Sequence, residues 1–370
     1  MEENSSSGRV RLIYAGGTVG AVGHPLAPLS GVRFETLWND ALAPRLPAAG
    51  SVQWTHLEPA IDSTDAVPVD WARIARPAFE AAAAGAPGAI VLHGTDTLAE
   101  AAAALAFLAT LTDGARPVAR LTMPLTLLGA MTPLFATGPG GAPAGLAVGG
   151  DAVSSLTVAL AREAGNGAAT VMLACDGRLL PGTRAVKLAS ARRPAFGCPM
   201  GEGLLPDLPP APPEALLERL ARVAPHLGAR SVLVLPARPE APGRLAAELE
   251  ALVAAPGVAA GAIVLLGFGD GNLPGRDSLG TVIETARARG LPVVVGTRAR
   301  HGGTRFGDYA AGAWLKRLGV IEARDMTPEA ATTKLHVALA LAAAEGWDGA
   351  TLERYITTPI AGEITPAGPS

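Results

Sequence analysis

The sequence predicts an α/β protein, with a larger N-terminal domain on a doubly wound sheet and a smaller C-terminal α/β domain. Three observations carry that expectation. Short apolar runs alternate with longer Ala- and Leu-rich stretches of helical spacing, the rhythm of a parallel sheet covered by helices. The apolar runs end at glycines or small polar residues, where an open α/β sheet binds its ligands. The rhythm breaks at the proline-rich stretch 206–213 and then restarts.

Residues 11–15 read as a strand entering Gly16-Gly17-Thr18-Val19-Gly20, whose glycines permit a sharp turn and a close backbone approach. The spacing is neither G-x-G-x-x-G nor a G-x-x-x-x-G-K-[ST] phosphate loop, so no nucleotide fingerprint is present. Residues 21–31 carry Gly, His and Pro and read as a mobile loop, followed by a helix at 34–42. A strand at 51–57 leads to Pro59-Ala60-Ile61-Asp62-Ser63-Thr64-Asp65, and a helix over 69–84 has Asp70 near its start. The run 89–92 is a buried strand that stops at His93-Gly94-Thr95-Asp96-Thr97, before a helix at 98–111. Residues 118–128 read as the next strand and 136–150 as a loop or insertion. A helix at 151–164, a strand at 169–174 and a turn at Asp176-Gly177-Arg178 lead to 184–196, which holds Lys187.

The domains are therefore set at 1–205 and 229–370, joined by a Pro-rich linker at 206–228. In the second, strands are expected at 231–235, 262–266 and 292–296, and helices at 244–254, 278–289 and 328–345. Gly267-Phe268-Gly269-Asp270-Gly271-Asn272 forms a turn at a strand end. No repeat of fixed period is present.

The 370 residues suffice for two domains and a substantial core. No apolar run reaches the length of a membrane span, so no membrane partner is expected. Residues 1–8 are polar without an apolar h-region, so no signal peptide is expected. The net charge of -3 and the absence of a basic stripe argue against nucleic acid. Cys175 and Cys198 have neither metal-ligand spacing nor a disulfide framework, and both read as small buried or loop residues. The expected compartment is the cytoplasm, and no metal or organic cofactor is expected. Of 30 basic residues, only Lys187, Lys316 and Lys334 are lysines. Arginine cannot give up its proton in a protein, so each lysine is a candidate wherever a proton must move.

Three strand ends thus carry small polar residues: Thr18, then Asp62 and Ser63, then Thr95 and Asp96. A helix following Thr97 offers free N–H groups to an anion or oxyanion. Asp96 or Thr97 as a simple helix cap, Thr18 as a turn residue, Ser63 as a cap and Lys187 as a surface charge are the alternatives.

Together these residues resemble the bacterial L-asparaginase/glutaminase family of threonine amidohydrolases, over nearly the whole chain. Ala15-Gly16-Gly17-Thr18-Val19-Gly20 resembles the family's first signature and His93-Gly94-Thr95-Asp96-Thr97-Leu98 its second. Asp62-Ser63 with Asp70-Trp71 resembles its carboxylate-binding segment. Arg184-Ala185-Val186-Lys187 with Ala195-Phe196-Gly197-Cys198-Pro199 resembles the segment bearing its catalytic lysine. Asp325-Met326-Thr327-Pro328-Glu329-Ala330, Lys334-Leu335 and Gly362-Glu363-Ile364-Thr365-Pro366 resemble its C-terminal segments, the last most like the cytoplasmic branch.

The resemblance implies hydrolysis of L-asparagine to L-aspartate and ammonia through an acyl-enzyme, with L-glutamine as a possible second substrate. Thr18 is then the nucleophile. Thr95, Asp96 and Lys187 form the second catalytic group, in which a neutral lysine relays a proton through Thr95. Asp96 also binds the substrate α-ammonium, Ser63 binds its α-carboxylate, Asp62 and Thr95 belong to the same substrate-binding set, and backbone N–H groups near Thr95 form an oxyanion hole. Family members are homotetramers built from close dimers, and Asn272 matches a residue that a neighbouring copy contributes.

The sequence departs from the family at several positions. A loop tyrosine that assists the nucleophile falls on Leu26, and no tyrosine lies between Tyr14 and Tyr309. His24 or water is the expected replacement. Ser155 stands where an Asn is common, and the allosteric cysteine of some members falls on Ala299. A catalytically weak sensor of asparagine or aspartate is the competing reading. The family's tRNA-dependent amidotransferase subunit is disfavoured, because no basic surface suits tRNA.

Overall fold

The computed structural model describes residues 8–165, 168, 170–275, 278–306 and 310–366. The chain divides into two compact units. One gathers the chain up to Leu111 with Val118–Cys198 and Leu208–Ala221. The other gathers Thr112–Pro117, Pro199–Asp207 and everything from Arg222 onward.

The first unit is built on a six-stranded sheet of β1 (Val10–Tyr14), β2 (Val52–His56), β3 (Ala89–Leu92), β4 (Leu125–Leu128), β5 (Val171–Cys175) and β6 (Arg178–Pro181). Their spatial order is β6-β5-β4-β3-β1-β2, all parallel except β6, which folds back on β5. The chain starts one strand in from the edge, moves out to β2, and then crosses back over β1 to β3. The strand order therefore reverses between β1 and β3, the position at which an open α/β sheet leaves a crevice.

All four residues of β3 are buried, as are those of β4, because helices cover both faces. On one face, Leu12, Tyr14, Ile90, Leu92 and Leu128 pack with Phe34 of α1 (Gly31–Leu37) and with Leu156, Ala159 and Leu160 of α4 (Ala152–Ala164). Tyr14 stacks on Phe34 with ring centroids 4.7 Å apart. α2 (Pro68–Ala83) and α3 (Leu98–Leu108) pack together and cover the other face. The small side chains of α3 allow it to be almost wholly buried.

Several elements differ from the sequence reading, each for a local reason. The run 118–128 is not one strand. Pro124 interrupts it, leaving β4 in the sheet, while Arg116–Arg120 pairs with Thr110–Asp113 in a separate ribbon. The expected loop at 136–150 contains a ribbon of Phe135–Thr137 and Pro143–Leu146. The helix expected at 34–42 is α1 followed by a wider turn at Trp38–Leu42. Residue 169 of the expected strand 169–174 lies outside the described residues. Within 206–228, Pro213–Val223 is helical (α5). Leu216, Leu220 and Val223 recur at helical spacing on its buried side.

The second unit has a parallel four-stranded sheet in simple order: β7 (Ser231–Pro236), β8 (Ala260–Gly267), β9 (Val293–Thr297) and β10 (Ile321–Glu322). α6 (Arg244–Ala254), α7 (Leu279–Ala288), α8 (Ala310–Arg317), α9 (Pro328–Glu345) and α10 (Gly349–Thr357) complete it. Leu249, Ile263, Leu265, Ile283, Val293 and Leu315 form its core. α9 begins where the Thr327 hydroxyl accepts from the Ala330 N–H with Pro328 at the first turn, and ends at Gly346 in the left-handed region.

Lys334 of α9 is completely buried. Its Nζ donates to Ile356 O at 2.8 Å, Thr358 O at 2.6 Å and Glu363 Oε1 at 2.5 Å, and Glu363 also accepts from the Ile360 and Ala361 N–H groups. Burial lowers the Lys334 pKa, opposed by the Glu363 charge. The pair fastens the C-terminal segment to α9. Removing one member leaves the other charged and dry, so Glu363→Ala is expected to cost about 3–5 kcal/mol. Chemical denaturation checks this: the midpoint falls sharply in Glu363→Ala and less in a Lys334→Met/Glu363→Leu double variant.

Candidate active site

The site forms at the carboxyl ends of β1 and β3 and lies wholly within the first unit. Beyond β1, Gly16 and Gly17 both adopt positive φ, at 118° and 87°, and turn the chain into the short helical turn Thr18–Gly20. Beyond β3, the His93 N–H continues the ladder to Leu128 O at 2.9 Å, and Gly94 then leaves the sheet. The two turns meet backbone to backbone. A Cβ on Gly17 would lie 2.3 Å from Gly94 N, and a Cβ on Gly94 would lie 2.2 Å from Ser63 Oγ. Only hydrogens fit there, so both positions need glycine. Thr18 and Thr95, each one residue past such a glycine, are thereby set side by side with Ser63.

Ser63 arrives on the loop after β2. Asp62 is exposed, and its Oδ1 accepts from the Thr64 N–H at 3.0 Å and the Thr64 hydroxyl at 2.9 Å. These bonds shape the turn that presents Ser63. The Thr97 hydroxyl donates to Ser63 O at 2.8 Å and ties that turn to the start of α3. Asp70 holds the far end of the loop. Its Oδ2 accepts from the Val67 N–H at 3.0 Å and its Oδ1 from Arg73 Nη1 at 2.7 Å, while Arg73 Nη2 donates to Pro59 O at 2.8 Å. Asp70 is thus a helix cap that also braces the site loop.

Lys187 lies in a two-residue strand, Val186–Lys187, paired with Phe196–Gly197. Its Nζ donates to Thr95 Oγ1 at 3.0 Å and to Asp96 Oδ1 at 2.6 Å. The Lys187 side chain is 23% exposed and Asp96 54%, so the ion pair opens to solvent while Thr95 is buried. Lys187 thus joins Thr95 and Asp96, while Ser63 and the turn that carries Thr18 meet the same strand end through Gly94. Asp62 holds its own turn. Asn272 belongs to the second unit, where it closes the turn after β8 through Phe268 N–H to Asn272 O and Asn272 N–H to Phe268 O, both 2.8 Å.

The loop 21–31 is tied at several points. Ala21–Val22 pairs with Ala27–Pro28, the Leu29 N–H donates to Gly20 O, the Gly23 N–H to Thr137 Oγ1, and the Tyr14 hydroxyl to Leu29 O at 2.8 Å. Tyr14 is buried, which raises its pKa, and it is committed to the base of this loop. His24 and Leu26 are exposed at its tip. Ser155 is buried and its Oγ accepts from the Gly177 N–H, and Ala299 is exposed.

Sequence reasoning passed over His93. Its side chain is buried beneath the site; Nδ1 is 2.8 Å from Gly94 O, and Nε2 has no partner among the described residues. A buried nitrogen left so costs about 1–3 kcal/mol. The signal was available, since a histidine directly after an apolar strand interrupts its pattern. Cys175, by contrast, is structural: its Sγ lies 3.8 Å from carboxylate oxygens of Asp151 and Asp176, and burial raises its thiol pKa. Neither cysteine forms a disulfide. No helix among the described residues is long and apolar enough to cross a membrane.

Fold and site together define a doubly wound α/β protein with paired threonines, a serine and an aspartate–lysine pair at its switch point. The chain belongs to the asparaginase family: residues 9–204 match the model "Asparaginase, N-terminal" and residues 234–353 match "Glutaminase/Asparaginase C-terminal domain". It is 29% identical to L-asparaginase 1 of Escherichia coli (strain K12) over 96% of this chain and 98% of that one. It is 33% identical to an L-asparaginase of Thermococcus kodakarensis, covering 82% and 84% of the two chains. The solved structure of the thermostable L-asparaginase from Thermococcus kodakarensis superposes with a TM-score of 0.73, at 27% identity over 97% of this chain and 99% of that one.

The glycine contact gives a direct expectation. Gly17→Ala forces a side chain into a positive-φ position against the Gly94 backbone, and should cost about 2–5 kcal/mol. A melting curve tests this, with Gly50→Ala, where an added Cβ meets nothing within 4 Å, as the neutral control.

Proposed function

We propose that the protein is an amidohydrolase that converts L-asparagine to L-aspartate and ammonia, with L-glutamine as a side substrate. The observation that carries this reading is Lys187 Nζ within hydrogen-bond reach of both Thr95 Oγ1 and Asp96 Oδ1, on the turn whose Gly94 meets Gly17, the residue before Thr18. A hydroxyl nucleophile needs a group to take its proton, and a lysine bonded to a second hydroxyl is such a relay. In this mechanism Thr18 Oγ1 attacks the side-chain amide carbon as its proton passes to the Thr95–Lys187 pair. The developing oxyanion is held by backbone N–H groups near Thr95. The tetrahedral adduct collapses, the C–N bond breaks, and ammonia leaves with a proton returned from the relay. Water then adds to the Thr18 ester and releases aspartate.

Ser63 receives the α-carboxylate and Asp96 the α-ammonium, so one end of the substrate meets a hydroxyl and the other a carboxylate. Asp62 acts by shaping the Ser63 turn. No metal or organic cofactor enters any step. In the same reading the protein works in the cytoplasm as a homodimer or homotetramer, with Asn272 of a second copy completing the site. Asparagine and glutamine differ by one methylene, which a pocket distinguishes by about 1–3 kcal/mol.

One feature favours a second reading, a catalytically weak sensor: the loop after Thr18 has Leu26 where a tyrosine is expected, and Tyr14 is already engaged with Leu29. Ammonia release from both amides by purified protein separates the two. The amidohydrolase is expected to turn over asparagine, with Thr18→Ala lower by about 10,000-fold or more. Lys187→Arg keeps a cation but no transferable proton and is expected to lose about 100- to 1,000-fold. Calorimetric binding of asparagine without turnover would instead establish the sensor, and full turnover in Thr18→Ala would sink the nucleophile assignment. Unchanged turnover in His24→Ala would give the remaining proton step to water.

A further inference from the structure

We propose that His93 positions the oxyanion hole, its Nδ1–H holding the Gly94 carbonyl so that the Thr95 N–H is turned toward the reacting carbonyl oxygen. The proposal rests on the amidohydrolase reading above and extends it to a residue that touches no substrate atom.

The geometry starts with the strand. Side chains alternate along β3, with Ile90 and Leu92 in the core shared with α1 and α4. His93, one residue further, therefore faces the other way, toward the α2 side, where the Asp70 charge acts on it. Its main chain is fixed by the bond from its N–H to Leu128 O. Its ring bends back on the next peptide, with Nδ1 2.8 Å from Gly94 O. A carbonyl oxygen can only accept, so in this contact Nδ1 carries the hydrogen.

That bond acts on one peptide plane. The carbonyl of Gly94 and the N–H of Thr95 belong to the same trans peptide and point in opposite directions. Fixing one fixes the other. Gly94 has no side chain to help, because Ser63 Oγ and the Gly17 backbone occupy the space around it. Thr95 N–H also precedes α3, whose first residue is Leu98, so no helical carbonyl is available to it. A glycine peptide with free rotation would let this donor wander; the imidazole supplies the missing restraint from below.

The choice of residue supports this. Burial pushes the His93 pKa down, against the Gly94 carbonyl and the Asp70 charge, which push it up. The ring is therefore neutral at pH 7, with its hydrogen on Nδ1, and its bare Nε2 has no partner among the described residues. Stability alone has no use for that nitrogen, since leucine would fill the same space without it. A buried polar atom left unsatisfied beside a reactive centre is the mark of a side chain kept for its other end.

The test compares two variants of the full-length protein on the amide it hydrolyses. His93→Asn keeps an N–H at the position of Nδ1, and His93→Leu fills the space with no donor. His93→Leu is expected to lower kcat about 100-fold with KM within about three-fold, the loss typical of one misplaced oxyanion donor. His93→Asn is expected to retain kcat within about five-fold. The pH profile of kcat/KM should keep both limbs in His93→Asn, because His93 does not titrate in the reaction. In nuclear magnetic resonance spectra, the Thr95 amide signal should move in His93→Leu and return in His93→Asn, and the wild-type ring should show Nδ1–H with bare Nε2 at pH 7 to 8. Wild-type kcat in His93→Leu, equal loss in both variants at unchanged melting temperature, loss of a pH limb, or an Nε2–H ring each overturns the proposal. If neither variant folds, the wild-type ring spectrum decides alone. A wild-type protein that releases no ammonia from asparagine or glutamine overturns the amidohydrolase reading instead, and the spectra still decide the His93 contact.

Discussion

Gly17 and Gly94 meet with no room for a carbon between them, and the rest of the site depends on that contact. β1 and β3 are adjacent parallel strands, so their carboxyl ends already lie side by side. Each chain must still leave the sheet without pushing the other away. Positive φ at Gly16 and Gly17 turns the first chain sharply, and the missing side chain on Gly94 lets Ser63 close in from the third direction. The outcome is two threonines and a serine presented from three loops at a separation that ordinary side-chain packing would not allow. The loops are then fastened by side-chain bonds, Thr97 to Ser63 O and Asp70 to Val67, which hold Ser63 buried and leave the carboxylate of Asp96 exposed.

The sequence made much of this legible, and the reason is local. Glycines before threonines at strand ends are short-range signals, and 89–92 and 328–345 were bounded by a sharp loss of apolar character or by a cap and a glycine. What failed was also local in origin but decided by tertiary pairing. Residues 118–128 are apolar enough for one strand, yet Pro124 splits them and the first half pairs with Thr110–Asp113. The 206–213 prolines marked a break in rhythm, but the α5 stripe of Leu216, Leu220 and Val223 begins only three residues later. The loop 21–31 read as mobile from its Gly and Pro; its own short hairpin and the bond to Gly20 are local, but the bonds from Tyr14 and Thr137 come from outside it and leave no trace in its own sequence. At the site, the convergence of Lys187 on Thr95 spans 92 positions and rested on resemblance rather than on any pattern in the residues.

The scarcity of lysine made three residues candidates for moving a proton, and the structure shows why scarcity alone does not decide. Lys316 is exposed on α8. Lys334 is fully buried with three oxygen partners, one of them a carboxylate that is itself held by two backbone N–H groups. A cation so surrounded has no path to a reactant and no reason to release its proton while Glu363 remains charged beside it. Lys187 also bonds a carboxylate, that of Asp96, but it differs in two other respects. One of its partners is a hydroxyl, which can exchange a proton, and its side chain stays partly open to solvent. Arginine would serve at Lys334 only if its larger head could be housed, and at Lys187 it would fill the place but never shed its proton. On the proposed mechanism the same residue type serves the two positions for opposite physical reasons, one to hold a charge in place and the other to let a proton move.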